Sequence, residues 1–129
     1  LQVSSIANED VRAPLAGAEA PLSDDVARAT WHAALRLENP RLNSFRTTDC
    51  ASCHVAESAR LVVEARWKFV ETTPEAYVSA LTLPARSPRS FRGFGYFGRE
   101  PSISARAAHE TEEVTRMLGA IVANAGASE

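Results

Sequence analysis

A chain of 129 residues with 45% hydrophobic and 23% charged residues has enough apolar content for one modest core and too much for general disorder. Its 14 Lys+Arg against 16 Asp+Glu leave a net charge of −2, which gives no electrostatic footprint for nucleic acid. No apolar run approaches the roughly 20 residues of a membrane-spanning helix, no basic stretch leads into an apolar secretory signal, and two cysteines exclude a scaffold of several disulfides.

The chain starts at Leu1, as a processed product or a piece of a longer protein would. Residues 1–22 carry Pro14, Gly17 and Pro21 and no periodicity. They read as an extended N-terminal arm, with residues 23–129 as the helical domain. Ser23 followed by Asp24 and Asp25 is an N-cap with acids in the positive first turn, and predicts a helix from Asp24 to Glu38, ending before Asn39-Pro40. Val26, Thr30, Ala33, Ala34 and Leu37 share its apolar face. Trp31 falls at the far edge of that face, and His32 on the polar side.

After a loop over residues 39–48, Thr48 or Asp49 can cap a helix from about Cys50 to Val70. His54, Leu61, Val62, Ala65 and Phe69 fall on one side of it. Thr73-Pro74-Glu75 predicts a short helix reaching about Leu83. From Pro84 to Pro101, prolines and glycines interleave with Phe91, Phe94, Tyr96 and Phe97, which reads as an aromatic loop laid over the core. Ser102 can cap a last helix over about Ile103 to Asn124. Its expected apolar stripe is Val114, Leu118, Ile121, Val122 and Ala125, with Met117 at the margin and His109 facing solvent. The expected fold is all-α: three main helices, one short helix, and a Gly/Pro/aromatic-rich loop.

The chemistry is concentrated at Cys50-Ala51-Ser52-Cys53-His54. This C-x-x-C-H pattern is that of covalent haem attachment, where two thiols three apart at a helix start can reach the vinyl groups along one haem edge and the next imidazole can reach the iron. A zinc site could use Cys50, Cys53 and two histidines, but the chain has no second cysteine pair. A thiol–disulfide pair would ordinarily follow a strand in a βαβ unit, which is absent from the pattern. Two plain thiols without a cofactor are the remaining reading.

The segment Thr47-Thr48-Asp49-Cys50-Ala51-Ser52-Cys53-His54 resembles the haem-binding segment of c-type cytochromes, over these eight residues only. The resemblance implies covalent haem c on Cys50 and Cys53, His54 as proximal iron ligand, one-electron transfer rather than catalysis, and a periplasmic or exported location. It also implies a redox partner protein or a larger electron-transfer complex. Met117, the only methionine, is the first choice for the sixth iron ligand; His109, His32 or a vacant position are the alternatives. Leu61, Val62, Ala65 and Phe69 could line the ring, Phe94, Tyr96 and Phe97 could cover it, and Arg46 and Arg60 could pair with its propionates. A haem-bearing structural or assembly subunit is the alternative function.

Overall fold

The computed structural model describes residues 22–44, 46–69, 71–91, 93–97 and 99–127. The elements run α1 (Asp24–Glu38), α2 (Cys50–Trp67), β1 (Phe94–Phe97), β2 (Glu100–Ile103) and α3 (Ala105–Gly126). The protein is thus mostly helical, with a two-stranded antiparallel ladder inside the segment expected to be loop. The expected arm falls on residues outside the described ones, apart from Leu22.

Each helix starts on a side-chain cap. Ser23 accepts from the Val26 amide, Asp49 from the Ser52 amide and Ser104 from the Ala107 amide, each satisfying a donor that the first turn leaves unpaired. The last helix therefore begins two residues later than Ser102 would place it. α2 ends at Trp67, three residues before the expected end, with Lys68 beyond it in the left-handed conformation (φ 53°) and its amide donating to the Glu64 carbonyl.

The core lies between α1 and α2. Ala33, Ala34 and Leu37 meet Ala56 and Ala59 at one end, with Val55 against them. Ala27, Trp31 and Val63 pack at the other, with Leu35, Trp67 and Phe69 alongside. Alanine on both faces lets the two helix backbones approach closely, so the core is thin and its bulk comes from Trp31. That residue corrects the helical-wheel reading: it is 3% exposed and its indole N–H donates to Glu64 at 2.9 Å, which lets the ring enter the core while its polar edge stays bonded.

Two further expectations are corrected. Residues 74–83 form turns and bends instead of a short helix. Their polar groups are spent elsewhere: Ser79 Oγ and the Ala80 amide donate to the Glu112 carboxylate on α3 at 2.6 and 2.8 Å, and the Glu75 carbonyl accepts from Asn39. The buried face of α3 also differs from its apolar stripe. Ala105, Arg106, Ala108, His109 and Glu113 are buried, whereas Val114, Leu118, Ile121 and Val122 are 53–71% exposed. Only the first turns of α3 meet α1 and α2, and small Ala105 and Ala108 permit that approach; a periodicity argument finds the apolar face but not what lies opposite it.

The ladder pairs Phe94 with Ile103, Gly95 with Ser102, Tyr96 with Pro101 and Phe97 with Glu100. Its base is closed by the Ser104 amide donating to the Gly93 carbonyl at 2.7 Å. Gly95 sits at φ 138°, a conformation that L side chains rarely adopt, so the bend that throws Phe94 and Tyr96 outward depends on glycine there.

Candidate functional site

The site is organised by the first turn of α2. Asp49 accepts from both the amide and the hydroxyl of Ser52, at 2.9 and 2.8 Å, and its carbonyl accepts the Cys53 amide at 3.1 Å. This double cap fixes where helical geometry begins. Cys50 and Cys53, three apart, and Cys50 and His54, four apart, then occupy one face. Cys50 is an exposed free thiol and Cys53 a half-buried one.

His54 is exposed at the mouth of this face. Its Nδ1 donates to the Phe91 carbonyl oxygen at 2.7 Å. That bond fixes the tautomer with the proton on Nδ1 and leaves the Nε2 lone pair as the available ligand, the usual arrangement of a metal-binding imidazole held by a backbone carbonyl.

Two adjoining clefts open on this surface, of about 180 and 210 Å³, each smaller than an ordinary cofactor pocket by itself. They share Cys53, His54, Arg106 and Glu110. One is closed by Phe91, Phe94 and Arg86 from the aromatic segment; the other is bounded by Cys50, Thr48 and Ser44. The Thr48 hydroxyl is buried there without a hydrogen-bond partner.

The floor is ionic. Arg106, 7% exposed, donates to the Leu37 carbonyl at 3.0 Å and to Glu110 at 2.6 Å, so it closes the carbonyl end of α1 while holding a cation under the cleft. Arg86 is paired with Glu57 and donates to Ser90 Oγ at 2.7 Å. Behind them, Arg60 donates to both oxygens of Glu38 at 2.9 and 3.0 Å and to Glu64 at 2.9 Å. Burial pushes the Glu38 carboxyl up to about 7 against the opposing pull of Arg60. Burial also raises the Cys53 thiol, with Arg106 pulling it back down.

The expected residues divide into those that meet and those that do not. Cys50, Cys53, His54 and Phe94 line the clefts. Leu61 and Val62 are half-buried farther along α2, Ala65 is exposed, and Phe69 packs on Trp31 at 5.4 Å beneath Arg28; none of these four lines either cleft. Arg60 is committed to Glu38 and Glu64, and Arg46 is exposed outside the lining. Tyr96 is 70% exposed, and the side chain of Phe97 lies outside the described ones.

The three proposed sixth ligands also stand outside the lining. His109 is buried at 8% instead of solvent-facing: its Nδ1 donates to the Glu38 carbonyl at 3.0 Å and its ring stacks on Tyr77 at 4.7 Å. His32 lies 3.5 Å from Glu75, its ring edge-on to Trp31. Met117 is 52% exposed, two turns beyond Glu110 on α3. Among the described residues no group of three or more His, Cys, Asp and Glu converges as a metal-holding set, which weighs against the tetrahedral zinc reading.

Sequence reasoning missed Arg106, Glu110, Arg86, Glu57 and Glu38. One signal was present for Arg106: a cation in the first turn of a helix opposes the helix dipole, so another interaction has to hold it there.

Comparison of the chain with protein-family models, with curated proteins and with solved structures finds no match. Among the described residues no helix is long and apolar enough to cross a membrane.

Proposed function

We propose that the chain is a single-haem c-type domain that carries one electron at a time, with Cys50 and Cys53 as the tethers and His54 Nε2 as the proximal iron ligand. One observation carries this reading. A single helix start brings together two thiols, an imidazole whose Nδ1 is engaged by the Phe91 carbonyl, and two adjoining clefts that share Cys53 and His54. When bound, the group supplies exchange of one electron between ferric and ferrous iron.

The chain's own residues hold, screen and tune. Cys50 and Cys53 would hold the group, each by addition of its S–H across a vinyl double bond, which would need no oxidant and would expel no group. Arg106 and Arg86, each paired with a carboxylate of this chain, Glu110 and Glu57, line the cleft and give its floor its charged character, whereas Arg46 and Arg60 do not line it. Phe91 and Phe94 shield an apolar edge from water. Met117, His109 and His32 stay outside the clefts, so His54 is the histidine or methionine of the described residues that would hold the iron. Phe91, Phe94 and Tyr96, 47–80% exposed beside the cleft, form the rim on which a redox partner docks. Covalent attachment outside the cytoplasm makes the location periplasmic or exported.

The test is production in a host competent in haem ligation, followed by intact mass and the spectrum of the reduced, denatured pyridine derivative. A coloured protein one haem heavier than the polypeptide supports the reading. A colourless product at bare-polypeptide mass overturns it. A haem-bearing assembly subunit is the second reading, favoured by the exposed apolar face of α3; a haem reduced by small donors but unable to pass its electron to a protein acceptor would select it.

A further inference from the structure

Under the cleft lies an ion network with more carboxyls than cations. Among the described residues Arg60 meets Glu38 and Glu64 at 2.9 Å and Glu57 at 4.0 Å, and Arg86 pairs with the same Glu57. Three carboxyls thus share two guanidiniums, while Arg106 and Glu110 neutralise each other at 2.6 Å. An excess negative charge inside a protein is relieved most easily by protonating the most buried acid. That acid is Glu38, whose side chain is 4% exposed against 13% for Glu57 and 28% for Glu64. Burial holds its carboxyl at about 7 against the pull of Arg60, with Glu57 and Glu64 adding to the rise.

Glu38 also lines the cleft, together with Cys53 and His54. It is fixed there from two sides: both carboxyl oxygens accept from Arg60 Nε on α2, and its carbonyl accepts from His109 Nδ1 on α3. His54 is bonded to the Phe91 carbonyl, so the two side chains share the cleft while bonded to different partners. A change of charge in the cleft acts directly on a carboxyl that the network leaves ready to titrate.

We propose that Glu38 is the proton partner of the electron carried at this site: its carboxylate takes one proton from water when the site gains an electron, and returns it when the electron leaves. The proposal rests on the reading of the cleft as a one-electron site. The electron comes from the redox partner and the proton from solvent, and the only covalent bond made or broken is the O–H of the acid. Oxidation leaves one more positive charge in the cleft, which favours the carboxylate; reduction removes that charge and favours the acid. The groups that face Glu38 are Arg60, Glu57 and Glu64 on α2, Arg106, His109 and Glu110 on α3, and Arg86 from the aromatic segment. The guanidiniums stay charged throughout. His109 is the member of this set whose type ordinarily titrates near neutral pH, which makes it the control.

The test is the reduction potential of the loaded protein between about pH 5 and 8, for the unaltered chain, Glu38→Gln and His109→Gln. At a fixed donor potential the ratio of reduced to oxidised protein should be about tenfold higher at the acid end, the order expected for two unit charges coupled through a part-buried site. Glu38→Gln should remove most of that dependence and His109→Gln should keep it. Infrared difference spectra of the unaltered protein, carrying isotopically labelled glutamate, supply a readout that needs no variant. A protonated carboxyl band should appear on reduction and shift with the label. A coloured protein with a potential indifferent to pH, a dependence retained in Glu38→Gln or lost in His109→Gln, or a band that ignores the label and so belongs to the porphyrin carboxylates would each overturn this proposal alone. A colourless product would overturn the reading of the site, and this proposal with it.

Discussion

The ring of His54 at the start of α2 is bonded through Nδ1 to the carbonyl of Phe91, 37 residues later in the chain, at 2.7 Å. One contact therefore sets the orientation of the imidazole and pins the aromatic segment over the cleft. In the chain without a cofactor, His54→Ala should lower the unfolding free energy by about 1 kcal/mol, the net worth of one hydrogen bond. It should also speed amide exchange over residues 86–93 while leaving α2 helical. Unaltered exchange there would mean that the imidazole does not hold the segment.

Asp49 is the residue on which the position of both thiols depends. Asp49→Ala removes the bonds to the Ser52 amide and hydroxyl and should cost about 1 kcal/mol in urea unfolding. Because the first turn frays, the yield of covalently loaded protein should fall with it. Asp49→Asn retains a capping oxygen and should keep most of both. A fully loaded Asp49→Ala protein would show that the cap does not set the thiols.

The placing of Cys50, Cys53 and His54 on one helix start was legible because its information is local: a cap, two thiols and an imidazole within six residues. The ends of α1 and the start of α2 were legible for the same reason. What surrounds the site was not, because it is made by contacts distant in sequence. Arg106 reaches the Leu37 carbonyl and Glu57 meets Arg86, and no period in the sequence encodes such pairings. His109 misled because its neighbours on α3 are charged; its burial comes from Tyr77 and the end of α1. The apolar stripe of α3 misled in the opposite sense, since periodicity marks a face suited to burial without saying whether this chain buries it.

Cys53 is half-buried and Cys50 exposed, so the two tethers should not be equivalent. Cys53→Ser leaves one thioether, at Cys50. The reduced pyridine derivative should then absorb at longer wavelength, because one vinyl group stays conjugated, and the yield of loaded protein should drop several-fold. A derivative identical to that of the unaltered protein would show that Cys53 carries no thioether.

Met117 was the first choice for the sixth ligand as the only methionine of the chain, with a long separation from His54 that resembles small single-haem cytochromes c. It stands half exposed beyond the cleft. The loaded ferric protein should therefore lack the weak long-wavelength band of a His/Met pair, and Met117→Leu should leave the visible spectrum unchanged. Loss of such a band in the variant would return Met117 to the iron.

The Glu38–Arg60 pair gives the fold its pH dependence. Glu38 is 3% exposed, and burial holds its carboxyl at about 7 against an ordinary value of 4.5. Between those values the folded chain binds a proton that the unfolded chain has released, so this contribution is complete below about 4.5 and is lost as pH rises through 7. At most it amounts to about 3 kcal/mol. Glu113 works in the opposite sense, held at about 2 chiefly by Arg116; its contribution is complete above 4.5 and constant from pH 5 to 8. Burial lowers His109 below 6.5, so its contribution grows as pH rises to 6.5 and partly offsets that of Glu38. The urea midpoint of the chain without a cofactor should therefore fall between pH 5 and 8, and Glu38→Gln should reverse the slope to the shallow rise left by His109. Arg60→Ala should cost about 3–5 kcal/mol at pH 8, where it strands a buried carboxylate, and less at pH 5, where that carboxyl takes up a proton. Equal losses at the two pH values would show that Glu38 does not titrate in this range.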